Sequence, residues 1–227
     1  MNDFVIPAPP VPTIPTTDGG LYPVRRVYCI GRNFAAHAVE MGHDPDREPP
    51  FFFQKNPDNL DASGTFPYPP HSQDVHHEVE LLVALKSGGS DIPVRHALDH
   101  VWGYGVALDM TRRDLQGEAK KAGRPWEIGK AFERSGPVGP LMPVAQAGHP
   151  DQGRIELRVN DDLAQEGDLN QMIWKVPEMI SYLSKYFELA AGDVIMAGTP
   201  AGVGPVRRGD RMRASIEGLG DLAVSVT

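Results

Sequence analysis

The chain has 227 residues with 30 acidic and 22 basic side chains, which gives a formal net charge of −8. This length can bury a sizeable core, and an acidic balance without a basic stripe argues against a nucleic-acid or anionic-membrane partner. Because Cys29 is the sole cysteine, we expect no intrachain disulfide and no thiolate metal cluster. No apolar run approaches the ~20 residues that span a bilayer, and no signal-peptide pattern opens the chain. We therefore expect a cytoplasmic protein.

The 24 glycines and 22 prolines predict a turn-dense, β-rich fold rather than a helical bundle. Prolines recur between Pro7 and Pro15, which forbids a helix and predicts an extended N-terminal arm over residues 1–22. We expect this arm to lie along its own domain or a neighbouring subunit. Residues 23–227 contain no repeat or low-complexity linker and are expected to form one domain.

A short strand over residues 25–30 is followed by Asn33, which is placed to cap a brief helix over residues 34–41. On this helix His37 and Glu40 are three residues apart and therefore share one face. A histidine paired with a carboxylate has its basicity raised, as a general base acting on water requires. An ordinary surface pair is, however, the more common meaning of this spacing taken alone.

Residues 76–85 predict a strand that carries two carboxylates. Strand alternation places its apolar residues on one face and both Glu78 and Glu80 on the other. Like charges at adjacent positions of one face repel, so water, basic partners or a bound cation must compensate them. An isolated pair of this kind is more often the wet acidic edge of a half-exposed strand. His77 shares the apolar face, and His76 borders the acidic one.

A second strand is predicted over residues 102–110, with Gly103, Gly105, Ala107 and Asp109 on one face. Small residues beside one carboxylate predict a floor with room for a ligand above it, which makes Asp109 the third candidate metal ligand. Three hard oxygen ligands without a thiolate favour Mg²⁺ or Mn²⁺, with Ca²⁺ as a further candidate. The neighbouring histidines keep zinc as a rival.

Thr111 is placed to cap a helix over residues 112–122, on which Gln116 lies close to the candidate cation site. Residues 128–132 predict a strand in which Lys130 stands among small and apolar neighbours. A single lysine in a strand is usually found at a sheet edge, but this one follows the candidate cation site.

The C-terminal half predicts a hairpin around residues 160–161 and an amphipathic helix over residues 176–187. A buried strand over residues 194–197 leads into the glycine-rich loop 198–204, and two further strands close the chain. The loop lacks the lysine and hydroxyl pair of a P-loop. We interpret it as a loop whose N–H groups, or the Thr199 hydroxyl, can bind a carboxylate ligand.

From Val27 to the C-terminus the chain resembles the fumarylacetoacetate hydrolase family through five ordered motifs, in residues 31–37, 78–80, 103–116, 123–130 and 192–200. Five motifs in one order are far more specific than any one alone. The resemblance implies an α+β, β-rich fold, a mixed β-sandwich or roll with a short lid helix, and a homodimer.

The resemblance also implies roles for the candidate residues. Two glutamates and an aspartate hold a divalent ion in the family, and these match Glu78, Glu80 and Asp109. In relatives of similar size a histidine and a glutamate on the lid helix activate water, which His37 and Glu40 match.

Further matches concern the substrate, an oxo-acid. A glutamine and a lysine contact it in the family, matching Gln116 and Lys130, and the threonine of Gly-Thr-Pro, here Thr199, helps to hold its carboxylate. A second carboxylate, such as that of fumarylpyruvate, needs a cationic partner, for which Arg32 and Arg112 are the candidates.

The implied reaction is metal-dependent hydrolysis of a carbon–carbon bond in an acylpyruvate, most like the cleavage of fumarylpyruvate to fumarate and pyruvate in gentisate-type aromatic degradation. An oxaloacetate decarboxylase or a diene-dioate isomerase on the same scaffold is the near alternative. A binding domain whose acidic strands merely hold a stabilising cation is the alternative from a different class.

Overall fold

The computed structural model describes residues 4–34 and 49–227. In that part of the chain the strands are β1 Thr13–Pro15, β2 Leu21–Pro23, β3 Arg26–Gly31, β4 Phe51–Lys55, β5 Leu60–Asp61, β6 Thr65–Phe66, β7 Val75–His77, β8 Val79–Leu85, β9 Val101–Leu108, β10 Thr111–Arg112, β11 Gly136–Pro137, β12 Met142–Pro143, β13 Arg154–Val159, β14 Asp162–Asp168, β15 Asp193–Met196, β16 Gly204–Pro205, β17 Arg211–Ile216 and β18 Gly220–Val226. The helices are α1 Val94–Ala97, α2 Arg113–Lys121, α3 Glu127–Lys130, α4 Val144–Ala147 and α5 Val176–Leu183, with 3₁₀ turns at Pro57–Asn59, Leu98–His100 and Leu169–Gln171.

Two sheets dominate the fold. A six-stranded mixed sheet has the order β12-β9-β8-β15-β3-β4, and a five-stranded sheet has the order β14-β13-β17-β18-β6. Leu81 and Val83 of the first sheet share one buried apolar cluster with Ile155, Leu157 and Ala214 of the second. Helix α5 contributes its apolar face to the same cluster. The predicted β-rich α+β fold is therefore confirmed.

Strand β8 lies inside the six-stranded sheet, and all of its residues are buried. Leu81 and Val83 face the cluster between the sheets, whereas Leu82 and Ala84 belong to a second apolar cluster on the opposite face. The alternative of a half-exposed strand with a wet acidic edge is therefore wrong. Glu80 is only 2% exposed, so its charge has to be compensated within the protein or by a ligand.

The face of β9 that was predicted to be an open floor is covered by the chain around β12. A Cβ at Gly103 would lie 2.3 Å from the Met142 carbonyl oxygen, and one at Gly105 would lie 3.1 Å from Leu141 Cδ2. The glycines therefore allow close approach of a neighbouring strand instead of leaving room for a ligand. Of the four residues predicted for this face, Asp109 alone reaches the cavity described below.

The second cluster includes residues of the proline-rich N-terminal region. Strands β1 and β2 pair antiparallel, and their buried Ile14 and Tyr22 pack with Val27, Cys29 and other residues of the six-stranded sheet. The Tyr22 hydroxyl donates to the Leu85 carbonyl at 2.7 Å. This hairpin thus packs on its own chain, while the division into an arm of residues 1–22 and a domain of residues 23–227 stays a prediction.

Two local predictions around the site are wrong. Thr111 does not cap α2, because it lies in β10 and its hydroxyl donates to the Asp109 carbonyl at 3.1 Å. The predicted strand around Lys130 is the short helix α3. A Cβ at Gly129 would lie 2.9 Å from the Gln116 Cβ, so α3 packs tightly against α2 at a position where only glycine fits.

Other elements follow the sequence closely. The turn between β13 and β14 has Asn160 at φ 53° and Asp161 at φ 71°, as a two-residue hairpin turn requires. Helix α5 has Pro177 in its first turn and ends before the predicted residue 187. The predicted helix over residues 34–41 falls largely outside the described residues. Among those described, no helix has the length and apolar character needed to cross a membrane.

Candidate active site

Three carboxylates meet where β8 begins and β9 ends. Antiparallel pairing sets Val79 opposite Leu108, and the backbone N–H of Asp109 donates to the carbonyl of Glu78 at 2.8 Å. As a result, Glu78, Glu80 and Asp109 each offer an oxygen, and these oxygens lie within 4.8 Å of one another. All three side chains are buried, so the predicted metal-ligand set is brought together in one place.

Two cations contact Glu78. Lys130 Nζ lies 2.7 Å from Glu78 Oε2 and 2.7 Å from Asp109 Oδ2, and Arg113 Nη2 lies 2.5 Å from Glu78 Oε1. Burial acts to raise the pKa of Glu78, but the attraction of Lys130 and Arg113 outweighs it and holds that pKa well below its usual range. Burial acts to lower the pKa of Lys130, but the negative charges of Asp109 and Glu78 outweigh this effect and raise that pKa above its ordinary value.

Glu80 is the least compensated of the three carboxylates. Its Oε2 accepts a hydrogen bond from the Gly198 N–H at 2.8 Å. Burial, and then repulsion from Asp109 and Glu78, raise the pKa of Glu80 well above its ordinary value. A cation at this position would supply the positive charge that Glu80 lacks.

Asp109 offers a lone pair that the surrounding protein does not use. Its Oδ1 is buried without a hydrogen-bond partner among the described residues, although Lys55 Nζ lies 2.8 Å away. The Lys55 ammonium is instead directed to the Lys130 carbonyl, to Ser135 Oγ at 2.9 Å and to the Met110 carbonyl at 3.4 Å. A buried set of carboxylate oxygens, one of which accepts no hydrogen bond among the described residues, fits a hard divalent cation such as Mg²⁺ or Mn²⁺.

The carboxylates open into a cavity whose wall contains most of the other candidate residues of the described chain. Arg32, Gln116, Lys130 and Thr199 all line it. Arg112 does not: its guanidinium lies 4.4 Å from the Phe132 ring centroid, outside the lining of the cavity. His37 and Glu40 lie outside the described residues, so their catalytic role stays a prediction.

Helix α2 presents three polar residues to this cavity, namely Arg113, Gln116 and Lys120. They are three and four residues apart and hence share one helical face. Arg113 Nη1 donates to Gln116 Oε1 at 2.7 Å, which links Gln116 to the carboxylate group through Arg113. Of these three residues the sequence predicted a role for Gln116 alone, and the i, i+3, i+7 spacing is the signal that could have identified Arg113 and Lys120.

An aromatic wall completes the cavity. Phe51 and Trp126 meet edge to face at 4.8 Å between ring centroids, and Phe53 lies beside Trp126 at 5.7 Å. Cations lie over this wall: Lys120 Nζ is 4.8 Å from the Trp126 centroid, and Arg32 Cζ is 5.7 Å from the Phe51 centroid. The wall brings flat apolar surface and positive charge to the same side of the cavity.

Thr199 accepts a hydrogen bond from Gln165, for which no role was predicted from the sequence. Gln165 Nε2 donates to Thr199 Oγ1 at 2.8 Å and to the Pro200 carbonyl at 2.9 Å, while its Oε1 accepts from Val79 N–H at 3.1 Å. His77 Nδ1 lies 2.9 Å from the same Oε1, and His77 is not among the described residues that line the cavity. Because a backbone donor and a backbone acceptor fix the amide orientation, Thr199 accepts from Gln165 and its own hydroxyl proton remains for a ligand.

Asn33 joins the loop after β3 to the loop that carries Thr199. Its Nδ2 donates to the Ala197 carbonyl at 2.8 Å and to the Trp174 carbonyl at 3.0 Å, and its Oδ1 accepts from the Trp174 N–H at 2.7 Å. Gly198 has φ +92°, and a Cβ there would lie 2.7 Å from the Asn33 Cβ. The motif in residues 31–37 and the motif in residues 192–200 therefore contact each other through Asn33 and Gly198.

Comparison with known proteins gives a consistent assignment. The family model described as "Fumarylacetoacetate (FAA) hydrolase C-terminal" matches residues 26–227. The crystal structure of fumarylpyruvate hydrolase from Pseudomonas aeruginosa, in complex with Mn²⁺ and pyruvate, superposes with a TM-score of 0.96 at 51% identity, covering 99% of this chain and 99% of that one.

Two curated relatives carry a different activity in their names. The mitochondrial oxaloacetate tautomerase FAHD2 of Oryza sativa subsp. japonica is 42% identical over 88% of this chain and 90% of its own. Oxaloacetate tautomerase YcgM of Escherichia coli is 41% identical over 87% of this chain and 90% of its own. On the match of the family model and of these relatives, the chain belongs to the fumarylacetoacetate hydrolase family.

Proposed function

We propose that the protein is a metal-dependent hydrolase that cleaves a carbon–carbon bond of an acylpyruvate, with fumarylpyruvate as the substrate and fumarate and pyruvate as the products. The main observation behind the proposal is that three buried carboxylates line the same cavity as Gln116, Lys130 and Thr199. The similarity over 99% of the chain to a fumarylpyruvate hydrolase that binds Mn²⁺ and pyruvate supports it.

Glu78, Glu80 and Asp109 are the residues that would hold the cation, for which Mg²⁺ and Mn²⁺ are the first candidates and Ca²⁺ the third. When bound, such an ion supplies Lewis acidity, which lowers the energy of negative charge on nearby oxygen atoms. The lack of a hydrogen bond to Asp109 Oδ1 among the described residues and the raised pKa of Glu80 support this assignment.

The protein's own groups bind and orient the pyruvyl half. Thr199 donates its hydroxyl proton to the substrate carboxylate, since Gln165 already occupies one acceptor position of that oxygen. Gln116 contacts the oxo-acid from α2. The ammonium of Lys130, buried beside Glu78 and Asp109, stabilises negative charge that develops on the pyruvyl half.

Hydrolysis requires an activated water. In the proposed reaction His37, oriented by Glu40, takes a proton from water, and the water oxygen attacks the acyl carbonyl carbon. The bond from that carbon to the methylene carbon of the pyruvyl half breaks, and its electron pair passes to the pyruvyl half as the enolate. The proton held by His37 returns to this methylene carbon, so fumarate and pyruvate leave with all atoms accounted for.

Oxaloacetate tautomerisation is the second candidate function, because the curated relatives at 41–42% identity carry that name. It moves a proton between carbon and oxygen of the same oxo-acid and needs no water. The near alternatives of an oxaloacetate decarboxylase and a diene-dioate isomerase use the same oxo-acid contacts. A domain that only binds a cation remains the non-enzymatic alternative.

One experiment separates these candidates. Metal-stripped protein is tested on fumarylpyruvate, acetylpyruvate and oxaloacetate by loss of enol absorbance, before and after Mg²⁺ or Mn²⁺ is added, with fumarate and pyruvate quantified as products. We expect metal-dependent cleavage of fumarylpyruvate well above the others. Tautomerisation of oxaloacetate without any cleavage product would replace the hydrolase by the second candidate, and inactivity on all substrates would favour the binding domain.

The variant His37→Ala sharpens this test. It should abolish acylpyruvate hydrolysis, while a reaction that needs no activated water can persist. Equal loss of both reactions would contradict the assignment of His37 to water activation. A homodimer and a cytoplasmic location are part of the same proposal, and light scattering of the purified protein tests the first.

A further inference from the structure

Helix α2 connects two ends of the cavity that differ in charge. Arg113, at its beginning, contacts Glu78 and therefore lies at the carboxylate end. Lys120 lies seven residues later, which places its Cα ~10 Å further along the helix axis. Both residues line the same cavity, so a ligand held at the carboxylates can extend along α2 toward Lys120.

The Lys120 ammonium is half-buried and has no carboxylate of a described residue within ion-pair distance. Its close neighbour is the Trp126 ring, 4.8 Å from Nζ. Burial, followed by the positive charges of Arg113 and Arg32, lowers the pKa of Lys120 to about 8. Lys120 thus brings to this end of the cavity a positive charge that no carboxylate of the described residues neutralises, which favours an anionic ligand group.

We propose that Lys120 binds a second carboxylate of the substrate, at the end remote from the oxo-acid, with Arg32 on the same wall of the cavity. The site would then select oxo-acids that carry two carboxylates joined by a flat, unsaturated chain, because Phe51 and Trp126 form an aromatic surface on the wall of the same cavity. This inference rests on the proposed function and assigns the residue that makes it selective.

The chain offers a matched pair of variants for the test. Lys120→Met removes the ammonium inside the cavity, while Lys121→Met removes the same charge from the next residue, which is exposed. The value of kcat/KM is measured for both variants and the parent protein on fumarylpyruvate and on acetylpyruvate, which has no second carboxylate. Circular dichroism and Tm establish that the variants are folded.

We expect Lys120→Met to lower kcat/KM for fumarylpyruvate about 10- to 100-fold, the range for loss of one hydrogen bond between charged groups. The value for acetylpyruvate should change by less than about twofold, and Lys121→Met should leave both substrates unchanged. Lys120→Arg, which keeps the charge, should recover part of the discrimination. An equal loss on both substrates, or no loss on either, would overturn the inference.

Failure of the hydrolase proposal can be told apart from failure of this one. If the parent protein does not cleave fumarylpyruvate, the same compound serves as an unreacted ligand in calorimetric titration of the Mn²⁺-loaded protein, beside acetylpyruvate. A preference for fumarylpyruvate that disappears in Lys120→Met keeps the carboxylate site and rejects the hydrolase. Cleavage with undiminished preference in Lys120→Met keeps the hydrolase and rejects the carboxylate site.

Discussion

Gln165 Nε2 donates a hydrogen bond to Thr199 Oγ1 across 2.8 Å, although β14 carries the first residue and the loop after β15 carries the second. The two strands belong to different sheets. The Thr199 hydroxyl is therefore oriented by the five-stranded sheet, while the carboxylates are positioned by the six-stranded one. Packing of the two sheets against each other sets the geometry of the site.

Replacing Gln165 tests this relationship. Gln165→Leu removes the donor to Thr199 and leaves the Val79 N–H and the Pro200 carbonyl without their partner, so we expect a loss of about 1–3 kcal/mol in the free energy of unfolding. KM for the oxo-acid should rise more than kcat falls, because Thr199 loses its orientation. Urea unfolding and steady-state kinetics measure both. Gln146→Leu, at an exposed glutamine, is the control, and an unchanged KM in Gln165→Leu would contradict the role given to it.

Asp109→Asn tests the metal site. The substitution keeps the shape of the side chain but removes its charge and one hard oxygen ligand. Changes in groups behind a metal ligand typically cost about 10- to 100-fold in affinity, so loss of a ligand should weaken Mn²⁺ binding by more than about tenfold. Calorimetric titration of the metal-stripped protein measures this. Asp151→Asn, at an exposed aspartate, should bind Mn²⁺ like the parent, and equal binding by both variants would remove Asp109 from the ligand set.

Lys55 is expected to be a positioning residue. Its buried ammonium lies 2.8 Å from Asp109 Oδ1 and contacts the Lys130 carbonyl. Removal of one partner from a buried group of charges typically costs about 3–5 kcal/mol, so Lys55→Met should lower the free energy of unfolding by about that amount. Lys86→Met, at an exposed lysine, is the control in the same urea titration. A loss below about 1 kcal/mol would show that Asp109 does not depend on Lys55.

The pH dependence of substrate preference tests the charge of Lys120. The charged groups that act on this lysine are Arg113, Arg32, Glu78 and Lys130, and burial with the net positive surroundings lowers the pKa of Lys120 to about 8. Lys120 therefore carries its proton below pH 8 and loses it as the pH rises through that value. The ratio of kcat/KM for fumarylpyruvate to that for acetylpyruvate should fall over this range, since kcat/KM reports the free enzyme.

Groups common to both substrates cancel in that ratio. In Lys120→Met the ratio should already be low and should not vary with pH. If the parent and the variant show the same pH profile, another group is responsible for the preference.

The clustering of the three carboxylates could be predicted from the sequence because it depends on local rules. Strand alternation places Glu78 and Glu80 on one side, and antiparallel pairing of consecutive strands brings Asp109 beside them. The hairpin turn at residues 160–161 likewise follows from local chemistry. In both cases the residues that determine the feature are close together in the sequence or lie in adjacent strands.

The supporting residues could not be predicted in the same way. Lys55 reaches Asp109, and Gln165 reaches Thr199, only because the sheets pack as they do. The glycines of β9 were misinterpreted because nothing in their spacing distinguishes space for a ligand from the close approach of β12. The residues around Lys130 alternate as in a strand. The segment nevertheless forms the helix α3, which packs against α2.

Three cations from separate parts of the chain lie beside Glu78 and Asp109: Lys55 at the end of β4, Arg113 in α2 and Lys130 in α3. The protein thereby supplies most of its own charge balance at the site. We therefore expect the chain to reach its tertiary structure without the ion. Removal of the ion with a chelator should accordingly abolish activity while the polypeptide stays folded, and addition of the ion should restore the activity.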